Sequence, residues 1–185
     1  WFSQASSQAD LDLNQIYSNQ TKTAQPGAEG FGKAYLEAFD KYKADAVANA
    51  PAHAKPLMEA HLARTRKAYG LQAMRFENEE GYRYMGQQFD EGVSASSKLV
   101  SATPELFERE MGKFASTAAQ MATDPQTRAA LNETARKNLA WNAVTGEIDR
   151  NPGADSFTGK AWDLLTADEQ DRAHTYEKKK KNEFK

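Results

Sequence analysis

From Pro56 to Pro104 the chain reads PLMEAHLARTRKAYGLQAMRFENEEGYRYMGQQFDEGVSASSKLVSATP, with no other proline between those two. Proline is tolerated in the first turn of a helix and breaks its interior. The stretch therefore predicts one helix of about 45 residues, roughly 70 Å long at 1.5 Å per residue. A compact globule of this chain length has a radius of gyration of about 16 Å, so an elongated object is expected. The apolar residues of the helix fall on two stripes. Met58, Leu62, Thr65, Tyr69 and Phe76 share one. Tyr82, Met85, Phe89, Val93 and Val100 share another, turned by more than a quarter of the circumference. The switch falls at Asn78–Gly81, where a kink or a change of packing partner is expected. Gly70, Gly81, Gly86 and Gly92 each weaken the helix by about 1 kcal/mol relative to alanine.

Composition agrees with a helical reading. The chain has 185 residues, with 31 Ala and 12 Leu against only six Val and Ile together. Sheets draw on β-branched residues to cover their pleated faces, so a sizeable sheet is excluded. Leu, Ile, Val and Phe make up about 15% of the chain, too little for a dense core and suited to thin helix–helix contacts. The expected fold is all-α: an elongated helical bundle with long helices, short proline-marked connections and no sheet.

Outward from the long helix, proline and glycine set the other boundaries. Residues 1–25 are rich in Gln, Ser, Asn and Thr, and read as a polar N-terminal segment or linker with a possible short helix at Leu11, Leu13, Ile16 and Tyr17. Pro26, Gly27 and Gly30 break the chain. Phe31, Tyr35, Phe39 and Tyr42 then recur at helical spacing until Pro51, which predicts an antiparallel hairpin with the long helix. Thr103–Pro104–Glu105 reads as a helix start with a hydroxyl N-cap. It opens the seam Phe107, Met111, Phe114, Ala118 and Met121, whose spacing is that of a coiled coil. Asp124–Pro125–Gln126 starts a further helix, and Asn151–Pro152–Gly153 ends it. Residues 26–152 are thus expected to form helical hairpins in one bundle. Residues 153–185 add a loop, a short turn at Ala161–Leu165 and a last helix with a basic end, opened by a capping box at Thr166 and Glu169.

The same residues exclude several kinds of chemistry. With no cysteine there is no disulfide, thiolate metal site or cysteine nucleophile. No apolar run approaches the roughly 18 residues of a spanning helix, so no integral membrane segment is expected. A net charge of −2 argues against a DNA-coating protein. His53, His61 and His174 lack the i, i+4 partner of a helical metal site and read as surface or capping residues. Glu77, Glu79 and Glu80, flanked by Arg75 and Arg83, read as a solvated face with ion pairs. Glu147 and Asp149 point to different sides of a helix and cannot converge as an acid pair. No catalytic residue, cofactor or metal ligand is expected, and the chain is read as no enzyme.

Two binding expectations remain. A single hairpin partner covers only one of the two stripes on the long helix. Part of the stripe Tyr82, Met85, Phe89 and Val93 is therefore expected to be buried between copies of the chain in a homo-oligomer. Lys178, Lys179, Lys180 and Lys181 form the one block of charge, able to meet nucleic-acid phosphates or an anionic membrane surface, or simply to complement a helix C-terminus.

Three stretches carry a resemblance. Gly27–Ala28–Glu29–Gly30–Phe31 is followed by Leu36–Glu37–Ala38–Phe39–Asp40–Lys41–Tyr42. Later come the run from Ala135 to Pro152, ARKNLAWNAVTGEIDRNP, and the helix opening Leu165–Thr166–Ala167–Asp168–Glu169–Gln170. Over roughly residues 25–175 the sequence resembles the N-terminal helical part of large virion proteins of tailed bacteriophages, of the internal or DNA-ejection kind. That resemblance implies a structural virion component, assembled into an oligomeric helical ring or conduit for genome delivery. It also implies other virion proteins as partners, transient contact with genomic DNA, and a location in the virion. A soluble helical interaction or adaptor module in the bacterial cytoplasm, without catalysis, is the competing expectation. The first residue is Trp1 rather than Met, so the chain is expected to be an excerpt of something longer or a processed product.

Overall fold

The computed structural model describes residues 1–153 and 159–183. Among the described residues seven α-helices follow in order: α1 Phe2–Thr23, α2 Phe31–Ala48, α3 Lys55–Ala102, α4 Phe107–Met121, α5 Pro125–Arg150, α6 Lys160–Asp163 and α7 Ala167–Glu183. Among the described residues there is no strand, so the fold is all-α. Part of the expected loop after Gly153, residues 154–158, lies outside the described residues. α3 is assigned as one helix of 48 residues, unbroken at Gly81. The chain divides into two compact units, Trp1–Gly86 and Gln87–Lys185. The switch of apolar stripe on α3 is therefore a change of packing partner, as one of the two readings of Asn78–Gly81 expects, and the expected single bundle over 26–152 is divided.

Unit 1 is a three-helix bundle of α1, α2 and the first part of α3. Residues 1–25, read as a polar segment or linker with a possible short helix, form a helix of 22 residues that packs on this core. Its inward face is Phe2, Ala5, Ala9, Leu13, Ile16 and Tyr17. Half of that face is alanine or a helix-end residue, whereas the large apolar Leu11 points to solvent. α2 antiparallels α3, with Asp40 receiving a bidentate pair from Arg66 (2.6 and 2.8 Å) and Leu36 lying against Gly70. Tyr35, Phe39, Leu13, Met58 and Leu62 are fully buried. The shortage of aliphatic residues is offset by rings: Tyr17 meets Phe31 and Tyr35 edge-on, and Phe31 meets Phe76 at 4.6 Å between centroids. Such pairs add about 0.5–1.5 kcal/mol each beyond the area they bury.

Unit 2 is built around α5. The last part of α3 runs antiparallel to α4, with Phe89 edge-on to Phe114 and Ser96 bonded to Glu110. The same part of α3 runs parallel to α5, where Gly146 lies on the Ser101 backbone. Asp124 caps α5 through the Thr127 N–H at 2.7 Å, and Thr166 and Glu169 make the expected reciprocal capping box on α7. Thr103, by contrast, makes no side-chain cap: Pro104–Leu106 form a 3-10 turn before α4 begins. Arg136 ties α5 to the C-terminal elements through Glu169 (3.2 Å) and the Leu164 carbonyl, while Glu133, one turn back on α5 itself, holds the guanidinium at 2.7 Å.

The expected self-association stripe loses two of its residues here. Phe89 and Val93 are not held for a neighbouring copy; they are buried in the core of unit 2 with Phe107, Phe114, Leu139 and Val144. The seam from Phe107 to Met121 faces this same core. The apolar residues too few for one large core suffice for two small ones, because α5 supplies Ala135, Ala140 and Ala143 and lets backbones approach. Replacing Phe89 with Glu is expected to destabilise unit 2 by about 3–5 kcal/mol or more, through lost packing and a buried unpaired charge. Gly146→Ala drives a Cβ into the Ser101 carbonyl oxygen, a backbone atom that cannot rotate away. Its cost should reach about 3 kcal/mol, the upper end of ordinary overpacking. Urea unfolding followed by circular dichroism checks both.

Candidate functional site

Among the described residues there is no group of three or more His, Asp or Glu placed to hold a metal ion. His53 is exposed in the turn before α3. His61 Nε2 lies 2.9 Å from Asp10 Oδ1, with the ring edge-on to Phe2, and so joins α3 to α1. His174 stands 5.1 Å from the Trp162 ring and 3.9 Å from Glu177. Asp149 accepts from the Tyr176 hydroxyl at 2.8 Å and pairs with Lys180. Glu147 is drawn upward from its ordinary pKa by burial, but Asp149 faces α7 and the two do not converge.

The acidic cluster on α3 divides by role. Glu80 pairs with Arg83 at 2.9 Å, as an ordinary surface pair does. Glu77 does something the spacing does not announce. Its two carboxylate oxygens accept from the Gly30 N–H at 2.9 Å and the Gly32 N–H at 2.8 Å, capping the positive end of α2 from another helix. Gly30 is left-handed at φ 75°, which a side chain would strain, and this conformation turns its N–H toward Glu77. The stretch Gly27–Phe31 is thus a clamped turn between α1 and α2. Sequence reasoning missed the clamp because the partners lie 45 and 47 residues apart.

Of the four residues expected at a self-association surface, Tyr82 and Met85 stay exposed at 69% and 39%, while Phe89 and Val93 do not. Leu71 and Met74, missed earlier, are exposed at 54% and 56%. At about 100° per residue, Leu71, Met74, Tyr82 and Met85 fall within an arc of about 80°. They make one open apolar stripe on the unit 1 part of α3. The signal was in the 3–8–3 spacing, which puts Leu71 and Met74 on the same side of α3 as Tyr82 and Met85 and away from the buried stripe of Met58, Leu62, Tyr69 and Phe76.

The lysine block is divided too. Lys180 pairs with Asp149 at 3.1 Å and Lys181 with Glu177 at 2.8 Å. The Asp149 carboxylate, and after it the Tyr176 hydroxyl, holds Lys180 above its ordinary pKa. Lys179 lies at 3.9 Å from Glu183 and, like Lys178, is exposed. Two of the four lysines are therefore committed to α5 and α7, and the outward charge is half of what the run suggests.

Comparison with known proteins adds no relative: no family model, curated protein or solved structure matches the chain. Among the described residues no helix is long and apolar enough to cross a membrane.

The most buried acid with a defined partner set is Glu110, which is 4% exposed. The Ser96 hydroxyl donates to it at 2.7 Å, Arg109 at 2.9 Å, and Lys113 stands at 3.6 Å. The Ser96 bond, working against burial, and then Arg109 and Lys113 hold its carboxyl below the ordinary range. A depressed pKa contributes stability above the unfolded value of about 4.3, which is lost as pH falls through the folded value. Melting of the wild type should drop on acidification below about pH 4.3, and Glu110→Gln should reduce that drop. Melting temperatures across that range check it; an unchanged slope in the variant counts against the assignment.

Proposed function

We propose that this chain is a structural, non-catalytic component of a tailed-phage virion, of the internal or DNA-ejection kind, that assembles with copies of itself into a helical ring or conduit. The virion assignment rests on the resemblance of the three stretches quoted above. Assembly is supported by one observation: Leu71, Met74, Tyr82 and Met85 stand open on one face of α3. Fully burying an exposed side chain of this size contributes about 1.5–3 kcal/mol, and these four, each partly exposed, have much of that still to gain against a neighbour. Two of the four are Met, which adapts to the shape it meets. That property equally suits the second reading, an adaptor that takes a partner helix on this face. Contact with genomic DNA would fall to Lys178 and Lys179, the two exposed lysines of the block.

Met74→Glu with Tyr82→Glu should weaken self-association at least about tenfold while moving the folding free energy by no more than about 0.5 kcal/mol, as surface changes do. Mass photometry and thermal melting read the two quantities separately. A wild-type chain that stays monomeric at every concentration removes self-assembly. Mass spectrometry of purified particles then separates the readings: the chain is found in the virion under the first and only in the cell extract under the adaptor reading.

A further inference from the structure

The strongest unassigned feature lies in unit 2, between α3 and α5. Where Gly146 meets Ser101 the two backbones touch. One to three turns earlier on each helix their facing sides enclose a cleft of about 540 Å³, within the range of small-molecule sites. On the α5 wall stand Thr134, Asn138 and Asn142. The Asn138 amide donates to the Thr134 carbonyl at 2.9 Å and the Asn142 amide to the Asn138 carbonyl at 2.7 Å. Only the NH2 end of an amide can serve a carbonyl, so each Oδ1 is left as an acceptor. Thr134 likewise donates its hydroxyl to Ala130, at 3.1 Å, and keeps its lone pairs.

The α3 wall is different. Ser97 is 6% exposed, and its Oγ is buried without a hydrogen-bond partner among the described residues. A helical serine ordinarily satisfies itself on the carbonyl one turn back, and a buried hydroxyl left unpaired costs about 1–3 kcal/mol. Ser94 lies beside it, with Asp90 at one end of the wall and Lys98 at the other. None of the three has a side-chain hydrogen bond or ion pair among the described residues. Val93 is the one apolar side chain in the lining.

This inventory selects a ligand class. One ammonium opposed by a carboxylate is a poor phosphate site. One carboxylate is a poor metal site. A lining without rings and with one valine gives an apolar or aromatic ligand nothing to stack on. What it matches is a ligand whose groups both donate and accept: donors for the Asn138, Asn142, Thr134 and Asp90 oxygens, acceptors for Ser97 and Lys98. We propose that the α3–α5 cleft binds a neutral polyhydroxylated ligand of mono- or disaccharide size, with Ser97 at its floor.

Titration of the full chain with trehalose, maltose and sorbitol, followed by 1H–15N resonances, tests this. Melting alone does not discriminate, because sugars stabilise folded proteins in general by exclusion from their surface. Expected is a saturable shift, for at least one of the three, centred on residues 90–98 and 134–142. Ser97→Ala should weaken that binding about tenfold. The variant removes an unpaired hydroxyl and installs the best helix former, so it should melt at or above the wild-type temperature without ligand. No saturable shift with any of the three overturns the proposal. Saturation with inorganic phosphate but none of the three overturns the ligand class. Saturable shifts that Ser97→Ala leaves unaltered overturn the site.

Discussion

An α-helix turns by about 100° per residue, so a long helix can change the face it buries only by changing its neighbours. The helix Lys55–Ala102 does so along its length. Met58, Leu62 and Ala73 are buried in unit 1, and Phe89, Val93 and Val100 in unit 2. From Met74 to Gln88 no residue is buried. Every other element follows from this constraint. The first stripe needs α1 and α2 to cover it, and the second needs α4 and α5. In the interval between them the helix is left with Tyr82 and Met85 open, and with two glycines, Gly81 and Gly86.

Two small cores must then be made from a modest supply of apolar residues, and they are made differently. Unit 1 uses ring edges and polar clamps: the tyrosines and phenylalanines around Tyr35, the Asp40–Arg66 pair and the Glu77 cap on α2. Unit 2 uses close backbone approach along α5, at Ala135, Ala140, Ala143 and Gly146, with Arg136 and Glu110 as satisfied charges at its borders. Close approach leaves little room where helices touch and opens clefts where they part. The polar cleft beyond Gly146 follows from that geometry.

Much of the fold was legible in the sequence because prolines and capping residues act locally. Pro51, Pro56, Pro104, Asp124–Pro125 and the Thr166–Glu169 box mark boundaries within three residues of those observed. The change of stripe on the long helix was legible as well, since it depends only on residue spacing. Long-range pairing was not. Ala5 and Ala9 give no large apolar signal, so the sequence offers only a short helix around Leu11–Tyr17 where α1 spans Phe2–Thr23. Which chain covers Phe89 is decided by α4 and α5, and spacing on α3 says nothing about it. Glu77 looked like one acid among several until α2 placed two N–H groups against it. Of the open face, Tyr82 and Met85 belong to the second stripe that the spacing sets out, and Leu71 and Met74 fall on the same side of α3, earlier along the helix. The cleft at Ser97 could not be foreseen, because it exists only where α3 and α5 diverge.

Residue-resolved hydrogen exchange of α3 tests the account most directly. Each half of the helix is held by its own unit, so the amides around Leu62 and those around Val93 should be well protected, with faster exchange between Asn78 and Gln88, where few side chains are packed. Leu62→Ala, which deletes a buried side chain of unit 1 at a cost of about 2–5 kcal/mol, should lower protection around residues 58–76 and leave residues 89–100 unchanged. An even loss of protection along the whole helix would contradict the division of α3 between two cores.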